Sequence, residues 1–140
     1  MDPERRESAS NTAPPLWKHK GDSIVLLGRR CKSCGKRSFT RLQYCDVCHA
    51  TEFDQCELPR EGVLYSFSEI HVGPRRFSPP YIVGYVDIGP DIRVFSQIEG
   101  NMQDLQIGMP MIATSGPIAQ DEDGTAIVGY KFRPEVRRDV

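Results

Sequence analysis

The stretch Cys31-Lys-Ser-Cys-Gly-Lys-Arg-Ser-Phe-Thr-Arg-Leu-Gln-Tyr-Cys-Asp-Val-Cys48 decides how the rest of the chain is read. Two Cys-x-x-Cys pairs, Cys31/Cys34 and Cys45/Cys48, are separated by a ten-residue spacer. Each pair can form a knuckle, and four thiolates suit a tetrahedral zinc ion with bonds of about 2.3 Å. The same ligands serve iron. Four thiolates leave no coordination position for water or substrate, so the metal is read as structural. Gly35 follows the second cysteine, where a backbone turn lets amides point at sulfur. His49, next to the last cysteine, is read as a solvated neighbour rather than a ligand. The spacer carries Arg29, Arg30, Lys32, Lys36, Arg37 and Arg41 on or beside it against Asp46. These cations either offset the negative tetrathiolate cluster or form a docking surface for phosphates or a partner.

Five cysteines are present, so Cys56 is left over. It reads as a buried small apolar residue or an inert linker thiol rather than a nucleophile, since no histidine lies near it in sequence to act as its base. The start, MDPERRESASNTAPP, lacks the apolar run of a signal peptide, and no segment approaches the roughly 20 apolar residues of a membrane span. The expected location is therefore a reducing cytoplasm, where paired cysteines favour metal over disulfide.

The chain has 140 residues and a formal net charge of -1. That length suits one domain or two small ones, and the charge balance disfavours a general nucleic-acid binder. Residues 1–15 are polar and read as a mobile tail. Residues 16–58 are expected to hold an N-terminal anchor, with a short helical turn over Leu16–Asp22 carrying Trp17, then a strand Ser23–Leu27 and the metal ribbon. Trp17 packs on the chain's own metal module or docks on a partner. Thr51–Gly62 reads as a linker.

Residues 59–136 carry β-like runs. VLYSFSEIHV alternates with a period of two, and YIVGYVDI is separated from IRVFSQI by Gly-Pro-Asp, a hairpin signal. A short helical or irregular segment follows, then a strand near Met109–Thr114, an exposed loop SGPIAQDEDG and a last strand AIVGYKFRP. Five short strands interrupted between the third and fourth fit a five-stranded OB-fold barrel, with a β-sandwich as the competing architecture. The expected class is mainly β. The loop HVGPRRFSPPY joins the first two strands. Its prolines stiffen it, and Arg75 and Arg76 beside Phe77 and Tyr81 suit a phosphorylated ligand with an apolar arm, an interface, or simply a stiff connection. The three histidines, His19, His49 and His71, are scattered, and no nucleophile elbow, phosphate loop or HExxH helix is present.

The order of an aromatic anchor, CKSCG…YCDVC, GVLYSFSEIHV, PPYIVGYVDI, IGMPM and YKFRP resembles the zinc-ribbon/OB-fold family associated with acyl-CoA enzymes. The resemblance runs from about Leu16 to Pro134. It implies a small non-catalytic subunit paired with a thiolase, a lipid-transfer-protein-like aldolase, a hydroxymethylglutaryl-CoA synthase or a MaoC-type hydratase. A thiolase-fold partner would supply the catalytic residues, in a heterotetramer, with acyl-CoA or CoA as a shared ligand. One such route cleaves benzoylsuccinyl-CoA in anaerobic aromatic degradation. By the same analogy Arg75, Arg76, Phe77, Pro80 and Tyr81 lie near the CoA thioester or the partner. The alternative is a single-stranded nucleic-acid-binding ribbon and barrel, using stacked aromatics in a cationic groove.

Overall fold

A computed structural model describes residues 15–21, 23–39 and 43–135. The expected tail therefore falls almost wholly outside the described residues, as does Arg41.

The ribbon is built on one long strand. β1 (Trp17–Lys20) pairs antiparallel with the first half of β2 (Ser23–Cys31), and β3 (Arg37–Ser38) pairs with its second half. β4 (Phe53–Glu57) also runs antiparallel to the second half of β2. Two expectations are corrected here. The segment expected to form a helical turn is strand over Trp17–Lys20, and part of the expected linker is strand over Phe53–Glu57. Both gain backbone partners from β2, a pairing that local propensity does not report.

The barrel follows. β5 (Glu61–Ile70), β6 (Tyr81–Asp87), β7 (Arg93–Ile98), β8 (Pro110–Gln120) and β9 (Ala126–Pro134) close in the order β5-β6-β7-β9-β8. A parallel contact between Ile98 and Phe132 completes the closure. This is the five-stranded Greek-key arrangement expected of an OB-fold. The segment between β7 and β8 holds a short 3-10 turn, Met102–Asp104. A third correction concerns β8: it continues to Gln120, through residues read as loop. Pro117 fits there because β8 is irregular between Pro117 and Ala119, and proline is tolerated at such bulges.

The period of two does the sorting inside the barrel. Val94, Ser96 and Ile98 of β7 are buried, while Arg93 and Phe95 alternate outward. Phe132, Leu64, Val86, Ile88 and Met111 fill the centre. That core is not confined to the barrel. Ile24 and Leu26 of β2 and Leu58 after β4 belong to the same buried cluster, with Trp17, Phe39 and Cys56 packed against it. Cross-links reinforce the contact: Ser23 Oγ–H donates to Ala113 O at 3.4 Å, and Phe39 meets Tyr130 edge-on at 5.4 Å. Arg37 pairs with Asp91 at 3.1 Å. Gly28 marks the passage of β2 from barrel to ribbon. A Cβ there would lie 2.5 Å from Ser38 O and 2.9 Å from Leu58, so no side chain fits.

Candidate metal centre and the stiff barrel loop

The four spaced cysteines converge at one end of β2. Their sulfurs all lie within 4.8 Å of one another, with Cys31–Cys48 at 3.5 Å and Cys34–Cys45 at 3.6 Å. Bonds of about 2.3 Å to a tetrahedral ion place sulfurs about 3.8 Å apart, so this cradle fits zinc. Cys31 and Cys45 are buried and Cys34 and Cys48 are exposed.

The two knuckles repeat one backbone design. Gly35 N–H donates to Cys31 O at 2.9 Å, and His49 N–H donates to Cys45 O at 2.8 Å. Ser33 N–H and Val47 N–H each reach the first sulfur of their own knuckle at 3.4 Å. The closing residue of each turn is left-handed, with φ of 83° at Gly35 and 66° at His49. His49 thus occupies the glycine position of the second knuckle, a role the sequence reading did not assign. Aligning Cys-x-x-Cys-Gly with Cys-x-x-Cys-His would have exposed it. Lys36 ties the knuckles together through Asp46 at 2.9 Å.

These amides shape the thiols. The Cys34 N–H, opposed by burial and helped by Ser33, holds the Cys31 thiol down at about 6. The N–H groups of Cys48 and Val47 likewise lower Cys45. At Cys34 the Lys36 N–H pulls down, but burial and the neighbouring thiols outweigh it and raise the group to about 11. Crowded thiols whose ionisation is mutually opposed are the donor set that a divalent cation satisfies. Cys31, Cys34, Cys45 and Cys48 would hold it, and the ion would supply structural cross-linking.

The remaining candidate groups are dispersed. Cys56 is half-buried on β4, and burial raises its thiol. His19 packs edge-on to Trp17 at 5.2 Å, His49 lies beside Tyr44 at 5.9 Å, and His71 pairs with Glu69 at 3.2 Å. Three of the ribbon's cations are paired with acids: Lys32 faces Asp54 at 3.8 Å, in addition to the Lys36 and Arg37 pairs; Arg29 lies over the Phe53 ring at 5.7 Å.

The loop between β5 and β6 contains a 3-10 turn, Arg75–Phe77, preceded by Pro74 and ended by left-handed Ser78. Arg76 lies over the Phe77 ring at 5.1 Å, and Phe77 faces Tyr81 at 5.8 Å. Arg75, Arg76, Phe77 and Tyr81 are therefore neighbours, with exposed Pro80 preceding β6. Arg75 and Arg76 line a cleft of about 940 Å³ whose other wall is the β8–β9 hairpin, including Asp121 and Glu122. A second exposed feature, not foreseen from sequence, is an aromatic stripe on the outside of β5, β6 and β7. Tyr85 and Phe95 meet at 5.2 Å, and Arg93 stacks on Tyr65 at 3.4 Å while binding Asp87. The signal was available in the outward phase of each strand.

Comparison with known proteins agrees with this geometry. The profile described as the ChsH2 rubredoxin-like zinc ribbon domain matches residues 19–54, and that of the ChsH2 C-terminal OB-fold domain matches residues 55–114. The chain belongs to the ChsH2 zinc-ribbon/OB-fold family. Among curated relatives, the benzoylsuccinyl-CoA thiolase subunit BbsA of Geobacter metallireducens is 39% identical, over 81% of this chain and 77% of its own length. BbsA of Thauera aromatica is 34% identical over 94% of this chain and 92% of its own. A DUF35 domain-containing scaffold protein of Methanocaldococcus jannaschii is 34% identical, covering 84% of this chain and 87% of its own. Among solved structures, the Ltp2-ChsH2(DUF35) aldolase superposes with a TM-score of 0.67 at 25% identity, over 80% of this chain and 86% of that one. Among the described residues of this ChsH2-family chain, no helix is long and apolar enough to cross a membrane.

Proposed function

We propose that this chain is a non-catalytic accessory subunit of a thiolase-type acyl-CoA enzyme. It would stabilise a thiolase-fold catalytic subunit and help to hold or channel the CoA thioester. The observation that carries the reading is the similarity, over 81% and 94% of this chain, to two benzoylsuccinyl-CoA thiolase subunits. Their names make a degradative thiolase acting on benzoylsuccinyl-CoA the specific enzyme proposed, and a heterotetramer the proposed assembly.

The physical argument supports the same reading. A tetrathiolate site has no open position at which to activate water or substrate. The one remaining thiol, Cys56, is pushed up by burial, the opposite of what activates a nucleophilic cysteine. A rigid barrel can still serve catalysis by covering the entrance to a partner's site. That would exclude water and orient a long flexible thioester. The stiff loop carrying Arg75, Arg76, Phe77, Pro80 and Tyr81 is assigned to the contact with CoA or with the partner.

Nucleic acid fits the surfaces less well. The aromatic stripe offers stacking, but its Arg93 is neutralised by Asp87, and the hairpin beside the arginine loop is acidic. A polyanion would meet repulsion there.

The test is co-expression with a thiolase-fold catalytic subunit. The chain should copurify with it and raise its solubility or thiolysis, and alone should turn over no thioester. A catalytic subunit equally active and stable without the chain would overturn the proposal.

A further inference from the structure

The cleft between the Arg75–Phe77 turn and the β8–β9 hairpin has two walls of opposite sign. Arg75 and Arg76 are exposed on one wall, and neither forms an ion pair among the described residues. The other wall is built by a tight turn that spends two of its three acids on itself. The Asp121 carboxylate accepts from Glu122 N–H at 3.2 Å, and the Asp123 carboxylate accepts from Thr125 N–H at 3.1 Å. Glu122 is left exposed, its carboxylate making no hydrogen bond or ion pair among the described residues. Ile127 adds an apolar side chain to the lining.

Both walls are held in place before anything binds. Pro74 and left-handed Ser78 bracket the arginine turn, and the extension of β8 to Gln120 carries the hairpin up beside it.

A phosphate-rich ligand would gain from the arginines of one wall and be repelled by the carboxylates of the other. A protein edge carrying both signs would gain on both walls. The geometry points to this cleft as a docking slot for a two-signed edge of the thiolase-fold subunit, with an acidic side chain on Arg75 and Arg76 and a basic one on Glu122. The inference rests on the accessory-subunit reading. Within it, the arginine loop belongs to subunit recognition rather than to the CoA phosphates.

The two occupants respond oppositely to one substitution, Glu122→Lys. Adding a cation strengthens a phosphate site and weakens a two-signed protein contact. The experiment measures affinity for the copurifying catalytic subunit, and KM for its CoA thioester, in wild type, Arg75→Glu/Arg76→Glu and Glu122→Lys. All three positions are exposed, so unchanged thermal melts confirm intact folding. The expected result is a loss of subunit affinity of about tenfold in the arginine variant and a smaller loss in Glu122→Lys, both diminishing as salt rises. A lower KM in Glu122→Lys assigns the cleft to phosphate, and tighter subunit binding there assigns it to a wholly acidic edge; either result overturns the inference while leaving the accessory role intact. No change in either variant also overturns it. A wild-type chain that holds no catalytic subunit defeats both readings, and does so before any variant is compared.

Discussion

The tip of the ribbon and the interior of the barrel solve the same problem by different means. Among the described residues of Cys31–Cys48 most are exposed, and only Cys31 and Cys45 are buried among the ligands. In the barrel eleven buried apolar side chains exclude water without any cross-link. A segment too short to enclose a core can be held by an ion, whose binding free energy becomes folding free energy. β2 connects the two regimes, contributing Ile24 and Leu26 to one and Cys31 to the other.

Metal removal should break this comparison most sharply. Structural zinc is worth on the order of 10 kcal/mol in small modules. Stripping the metal with a strong chelator, or Cys45→Ser, should abolish amide-exchange protection around the knuckles while β6 and β7 keep theirs. Loss of protection throughout would mean that the barrel depends on the ion as well. The converse experiment is Phe132→Ala, which empties a fully buried site at the parallel closure. It should cost about 3–5 kcal/mol in denaturant unfolding. A cobalt-substituted sample should nevertheless keep its tetrathiolate absorption until the barrel transition.

Smaller effects compare the knuckles with each other. Gly35→Ala places a Cβ on a left-handed residue and should cost about 1 kcal/mol. His49→Gly relieves that strain in the other knuckle and should gain somewhat less, read as competition for zinc against a chromogenic chelator. The smallest effect lies at the barrel end of β2, where Lys18 and Lys20 share Glu57 at 2.8 and 2.6 Å. Hydrogen bonds from Lys18 and then Lys20 hold this carboxyl at about 2, from an ordinary 4.5. Because the folded value is depressed, its contribution is present above 4.5 and is lost as pH falls toward 2. Glu57→Gln should flatten the dependence of melting temperature on pH in that window.

The metal cradle and the barrel order were legible because each has a local signature. Ligand spacing marks a knuckle, and alternation marks a half-buried strand. What escaped was set by distant partners. Trp-Lys-His-Lys and Phe-Asp-Gln-Cys-Glu are short and polar, and become strands only because β2 offers them a place in its ladder. Gly116 and Pro117 read as loop, yet lie opposite Gly129 and Val128 in a paired strand. The close approach at Gly28 and the cluster shared by ribbon and barrel are likewise tertiary facts. The arginine loop was found, but the acid facing it belongs to a hairpin some 45 residues later, and neither half alone discloses a two-signed cleft.

The continuity of β2 also fixes a phase. Because alternate residues face opposite sides, inserting one residue between Leu27 and Arg30 would rotate Cys31 away from its three companions, even if Ile24 and Leu26 stayed seated. The ion-bearing tip is therefore keyed to the barrel like a blade to its handle. Any assembly that grips one automatically aims the other.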